Sequence, residues 1–266
     1  MFASSQNNAA PNVSDTPITK GLVCAPLFTS SGYDPARRRP LYGKSSGVSV
    51  NTGKYGLGYK GNGSNAGIQL SRSGGLGFGD IVPDASPFTV MIFQRTASTG
   101  TRRVFFSDSI AAGTTRRVIF EEQAAGTYRF RIITSGGATV TVTGGTVATG
   151  WHWAEAVHDG VNLEAFIDGT SIGTAACSLP RGQFTATTSA CHYLRNGDST
   201  TLASDGTGVF IAIWGRVLTA KERASVRKNP WQIYASMEGD SHIAYVTPAG
   251  GGATAINLMK TRQIAY

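Results

Sequence analysis

The chain has 266 residues, 34 of them glycine, and only 15% are charged. That length buries a sizeable core within one all-β domain, and abundant glycine with few charges suits many strands and tight turns rather than a helical protein. The formal net charge of +8 favours acidic partners, and no apolar run approaches the length needed to span a bilayer, which argues against a membrane partner.

Residues 1–20, rich in Ser, Asn, Ala and Pro, cannot bury a core and read as an N-terminal arm. The arm has neither the basic nor the apolar region of a secretory signal, so the expected product is made in a cytoplasm. From Gly21, LVCAPLF is a strand candidate, followed by turns at Gly32, Pro35 and Pro40. Arg37-Arg38-Arg39 is a basic loop without interleaved aromatics, a weak signal for nucleic acid, which is not the expected partner. KYGLGYKG and AGIQL suggest two short strands, and Ser71 to Asp84 reads as a glycine-laden loop. Five strands follow at Phe88 to Arg95, Arg102 to Asp108, Arg116 to Gln123, Tyr128 to Thr134 and Thr139 to Thr143, each bounded by turn formers.

Gly150 to Gly173 predicts three strands joined by tight turns at Asp159-Gly160 and Asp168-Gly169, because glycine accepts the positive φ that primed turns demand. Along the first strand Trp151, Trp153, Glu155 and Val157 share one side, and His152, Ala154, Ala156 and His158 the other. Two tryptophans on one face must be buried, and that face is expected to meet a second sheet. Strands at Ala190 to Leu194 and Gly208 to Arg216 come next, with Trp214 in the core. Thr219 and Glu222 form a capping box for a helix over Ala220 to Lys228, which Asn229-Pro230 stops and Trp231 plugs. Residues 235–266 read as a C-terminal extension, leaving 21–234 as the sandwich domain.

Arginines pair at Arg102/Arg103, Arg116/Arg117 and Arg129/Arg131 on three consecutive strands. With turns near Ala112 and Ala124-Ala125, Arg103 lies opposite Glu122 and Arg129 opposite Glu121, as cross-strand ion pairs. Two readings stay open: an exposed, partly paired sheet face, or a docking face for an acidic protein surface.

No catalytic constellation emerges. Sandwich glycosidases need carboxylates at alternate strand positions, whereas Glu121 and Glu122 are adjacent and point to opposite faces. His152, His158, His192 and His242 lack metal or nucleophile spacing, and His152 and His158 read as surface or edge residues. Cys24, Cys177 and Cys191 read as buried thiols, with a Cys177–Cys191 pair open only if their strands are neighbours. Asn196, Asp198 and Asp205 lie in a polar loop that could supply part of a calcium shell, but an ordinary loop with Asx turns is the simpler reading. No metal or cofactor is expected.

KYGLGYKGNGSNAGIQL, PFTVMIFQR, the Trp-His pair with its following Asp-Gly, EAFIDG and FIAIWGRVLTAKE together resemble the laminin G-like, concanavalin A-like lectin/glucanase group over residues 21–234. The closing NPWQI resembles phage-borne members. The resemblance implies an antiparallel jelly-roll-like β-sandwich with one short helix and extended termini. It also implies a non-enzymatic bacteriophage virion protein, a capsid decoration or fibre-type subunit. Such a protein is made in the host cytoplasm, forms a homo-oligomer and attaches to capsid or tail proteins. The alternative is a glycan-binding adhesion module that uses sandwich-rim loops such as Asn196 to Asp205, with or without calcium.

Overall fold

The structure, a computed structural model, describes residues 18–26, 33–34, 36, 39–40, 43–44, 48–53, 56–63, 67–71, 77–83, 86–97, 99–109, 116–134, 137–178, 190–194 and 205–235. The arm up to residue 17, Arg37, Arg38, Asn196, Asp198, His242 and the extension from residue 236 lie outside them, as do the side chains of Arg39, Arg116 and Arg117.

Seven short strands come first: β1 (Leu22–Cys24), β2 (Tyr33–Asp34), β3 (Arg39–Pro40), β4 (Gly43–Lys44), β5 (Ser49–Gly53), β6 (Gly56–Lys60) and β7 (Ile68–Gln69). Five longer ones follow: β8 (Phe88–Thr96), β9 (Arg103–Ser109), β10 (Arg116–Glu122), β11 (Thr127–Ile133) and β12 (Thr139–Thr146). The rest are β13 (Gly150–His158), β14 (Asn162–Ile167), β15 (Thr170–Ala176), β16 (Ala190–Tyr193) and β17 (Thr207–Trp214). A helix α1 (Ala220–Lys228) and a helical turn α2 (Gln232–Ala235) close the described chain, and a 3₁₀ turn at Gly77–Asp80 interrupts the glycine-laden loop.

Among the described residues β2 and β3 pair with each other, and the other strands form two antiparallel sheets, an all-β sandwich as the sequence leads one to expect. One has eight strands in the order β15-β14-β13-β8-β17-β6-β5 with β1 on β17, and the other seven in the order β12-β11-β10-β9-β16-β7-β4. The Asp-Gly turns set part of this register. Asp168 and Gly169 both take positive φ, 51° and 83°, and connect β14 to β15 in two residues, as a primed turn requires. At the preceding corner Asp159 Oδ1 accepts the N–H groups of Val161 and Asn162 at 2.8 and 2.6 Å. Those bonds hold its carboxyl below the usual range.

The apolar residues divide into two cores. Between the sheets pack Val90, Ile92, Ile211 and Ile213 from the eight-stranded sheet against Phe105, Phe106, Phe120 and Phe130 from the other. A second core lies on the outer face of the eight-stranded sheet, where Met91, Phe93, Trp153, Phe210 and Trp214 meet Leu218, Val226, Ile233 and Tyr234. The tryptophan face of β13 therefore corrects the expectation above: it meets the helical closure, not a second sheet, and Ala154 and Ala156 face the other sheet instead. The reason is size. Small residues inside let the sheets approach, while Trp153 stacks on Phe93 at 4.8 Å and meets Phe210 edge-on at 5.4 Å under the closure.

Helix α1 is fixed by charge as well as packing. Glu155, buried on that same face, accepts from Arg223 Nε at 3.1 Å and from Arg227, and Arg223 also lies 4.2 Å over the Phe166 ring. Desolvation pushes the Glu155 carboxyl up, and the two guanidinium groups oppose that shift. The capping box is present, and Glu222 also binds Arg216 Nη2 at 2.7 Å. Arg216 Nε donates to Lys20 O and Trp214 Nε1 to Ile18 O, which ties the segment before β1 to the end of β17.

His158 is a further correction. It is fully buried, stacked on Phe88 at 5.6 Å; its Nδ1 accepts from Gly160 N–H, and Nε2 donates to Cys177 O at 2.8 Å. His192 is buried too, and half-buried His152 pairs with Asp168 at 2.8 Å. All three cysteines are buried free thiols.

Candidate functional site

At one rim of the sandwich, β6, β17 and β8 lie side by side. Thr207 is opposite Lys60 on one neighbour and Arg95 on the other, and Arg95 is opposite Trp151 of β13. Directly opposed residues point to the same face, so Lys60, Thr207, Arg95 and Trp151 form one cross-strand row. Strand spacing puts the Lys60 and Arg95 backbones about 10 Å apart. The face is the outer one, because Phe93, two residues before Arg95, stacks on Trp151 at 5.2 Å.

Above part of this row opens a cleft of about 360 Å³ lined by Lys60, Gly61, Asn62, Arg95, Ala97, Asp205, Gly206 and Thr207. That volume falls at the low end of the small-ligand range, about 300–1,000 Å³. Lys60 and Arg95 are exposed, and neither side chain has a hydrogen-bond or ion-pair partner among the described residues. Asp205, the carboxylate of the lining, is held 2.8 Å from Arg103 Nε. Arg103 in turn stands 3.5 Å from Glu122, whose carboxyl is raised by burial and partly restored by Arg103.

Beneath the rim the space between the sheets becomes polar. Gln94 and Thr96 of β8 are 1% exposed, and the Gln94 amide has no partner among the described residues. Tyr128, facing them from the other sheet, has its hydroxyl pKa pushed up to about 12, chiefly by desolvation.

Of the residues singled out from sequence, Asp205 lies in the cleft, whereas Asn196 and Asp198 of the same loop fall outside the described residues. Its ion pair with Arg103 makes Asp205 a neutralised wall; among the described residues no cluster of three His, Cys, Asp or Glu side chains has metal-holding geometry. Arg103 opposes Glu122 and Arg129 opposes Glu121, as the sequence register has it. Arg103 is 7% exposed, so it is a buried structural cation and does not belong to an exposed docking face.

The other arginines gather on the outer face of the seven-stranded sheet. Glu121 is fully buried between Arg102, whose Nε is 2.8 Å from Oε2, and Arg129, and Arg131 follows two residues along β11. Desolvation and the neighbouring Arg129 and Arg102 lower the Arg131 pKa, while Glu121 raises it. The Arg131 Nε is buried with no acceptor among the described residues. For Arg116 and Arg117 only the strand position is described.

Sequence reading missed Lys60, Arg95, Thr207 and Trp151 as a group. They come from four strands separated by up to 147 residues (207 − 60), and only strand order brings them together.

A family model described as the concanavalin A-like lectin/glucanases superfamily matches residues 62–222. A search among curated protein sequences returns no match. Among solved structures, the binding domain of Paraclostridial Mosquitocidal Protein 1 is similar at a TM-score of 0.60 and 12% identity, with 85% of this chain and 54% of that one covered. The receptor binding domain of botulinum neurotoxin D gives 0.60 and 9%, covering 80% and 54%. A Trypanosoma rangeli sialidase in complex with sialic acid gives 0.58 and 13%, covering 83% and 34%. At those identities the likeness is one of fold, and this chain spans about half the length of the toxin domains.

Proposed function

The chain belongs to the concanavalin A-like lectin/glucanase superfamily, and from that premise we propose that it is a non-enzymatic glycan-binding module working through the rim cleft. The observation that carries this reading is the cross-strand row of Lys60, Thr207 and Arg95, with Trp151 beside it, under an open cleft. A sugar offers polar groups at its rim and C–H groups on its faces, and a concave site with convergent polar groups beside an aromatic ring suits both. Toxin binding domains and a sialidase solved with sialic acid share the fold, which supports a recognition role.

The test is a glycan microarray probed with the wild-type chain and with Ala97→Trp, which fills the cleft from an exposed position. The expected result is binding to a subset of glycans that Ala97→Trp abolishes without changing the melting temperature. Binding to nothing on the array, or binding that Ala97→Trp leaves intact, counts against the reading. Calcium participation by the Asn196 to Asp205 loop predicts a higher melting temperature with calcium than with chelator.

A second reading is favoured by the arginine cluster: a bacteriophage virion protein, a capsid decoration or fibre-type subunit that acts as a homo-oligomer. Arg102, Arg129 and Arg131 surround one carboxylate and leave a local excess of positive charge, which suits an acidic capsid or tail surface. Arg131→Glu is then expected to weaken attachment to particles at low salt, and unchanged attachment removes the support.

A further inference from the structure

We infer that the rim cleft selects sugars bearing an anionic group, a carboxylate or a sulfate, held between Lys60 and Arg95; this rests on the glycan-binding reading above. The argument is one of donors and acceptors. A lysine ammonium has three donors and an arginine guanidinium five, and neither has an acceptor. The charged side chains that bracket Thr207 are one of each, on backbones about 10 Å apart across β17, with no partner among the described residues. Such a pair cannot take the hydrogen of a sugar hydroxyl. It complements a group that only accepts, and arginine meets a planar carboxylate through two parallel bonds.

The carboxylate of the lining does not cancel this preference. Asp205 is bound from behind by Arg103, and Arg103 is shared with buried Glu122. Taking Lys60, Arg95, Asp205, Arg103 and Glu122 together, the charges sum to one net positive, with both unpaired cations on the open side. Among the described residues, an incoming anion therefore meets positive charge that is not already held in an ion pair. A neutral sugar accepts from these donors through its hydroxyl oxygens, but those bonds lack the charge assistance that an anion on the sugar supplies.

The experiment is titration calorimetry of the full chain with matched oligosaccharides: neutral lactose, lactose carrying a sialic acid, and lactose carrying a sulfate. The wild-type chain, Lys60→Gln and Arg95→Gln are compared, with melting temperatures confirming that the variants fold. The inference expects one or both charged sugars to bind at least tenfold more tightly than lactose, with weakening as salt rises. Each variant is expected to remove about tenfold of that preference. Preference for the sialylated form identifies a carboxylate site suited to bidentate arginine, and preference for the sulfated form a less planar anion site. Equal binding of lactose and its charged forms overturns the inference while leaving the glycan reading intact. Preference that survives both substitutions places the anion elsewhere and overturns it too. If none of the three binds and the microarray is also blank, the glycan reading itself fails.

Discussion

Gly208 stands opposite Gln94 on β8, and a Cβ placed there would collide with the hydroxyl of Tyr193, which crosses from the facing sheet. The Tyr193 hydroxyl is fully buried, its pKa is pushed up by desolvation, and it donates to Phe210 O at 3.4 Å. The sheets can close at this level only because one strand carries no side chain at that point. Gly208→Ala is therefore expected to destabilise the fold by about 1–3 kcal/mol, the usual cost of overpacking. Tyr193→Phe in the same chain should recover part of the loss by removing the clashing oxygen. Urea denaturation of the three chains reads both effects, and an unchanged midpoint for Gly208→Ala would show that the sheets part easily here. The sequence shows Gly208 only as a strand start, since the residue that needs its space lies 15 positions away (208 − 193) in another sheet.

At the scale of elements, the start of α1 joins three parts of the chain through one carboxylate. Glu222 Oε2 accepts from the Thr219 N–H at 2.7 Å, and both Glu222 oxygens accept from Arg216, whose Nε reaches Lys20 O. Burial alone would raise the Glu222 pKa, but Arg216 and Thr219 together hold it below the ordinary value. A carboxyl depressed in the folded state contributes stability above its unfolded pKa and loses it as pH falls through the folded one. Glu222→Gln should therefore be less stable than wild type at pH 7, with the gap narrowing as the pH falls below the ordinary carboxyl range. A constant gap would show that shape, not charge, makes the clamp. Thr219→Ala is expected to cost about 0.5–2 kcal/mol at either end of that range, through loss of the cap. The cap was legible because a capping box is local, with both partners within four residues. The layer over β13 was not. Alternation says which residues share a face of a strand, but what covers that face depends on helix residues such as Arg223 and Val226, some 70 positions later.

At the scale of the whole molecule, the described residues build three layers, two large sheets and a helical closure, and the family match stops inside the third. It ends at residue 222, whereas Val226, Ile233 and Tyr234 complete the outer core. Tyr234 also donates to Pro26 O at 3.1 Å and so ties the closure to the segment after β1. Ending the chain at Glu222 would strip Trp153, Phe93 and Phe210 of their cover and remove Arg223 and Arg227 from Glu155. A buried charge that loses its partners costs about 3–5 kcal/mol before any apolar exposure is counted, a large part of the stability of an ordinary domain, about 5–15 kcal/mol. A chain of residues 1–222 is therefore expected to be poorly folded and to bind a hydrophobic dye, whereas residues 1–235 should melt cooperatively without doing so. Adding Glu155→Leu to the short chain separates the two contributions, because it removes the orphaned charge but leaves the rings uncovered. Partial recovery would divide the cost between charge and exposure. Equal stability of the two lengths would mean that the sheets hold together without the closure, and that the outer core only caps a finished sandwich.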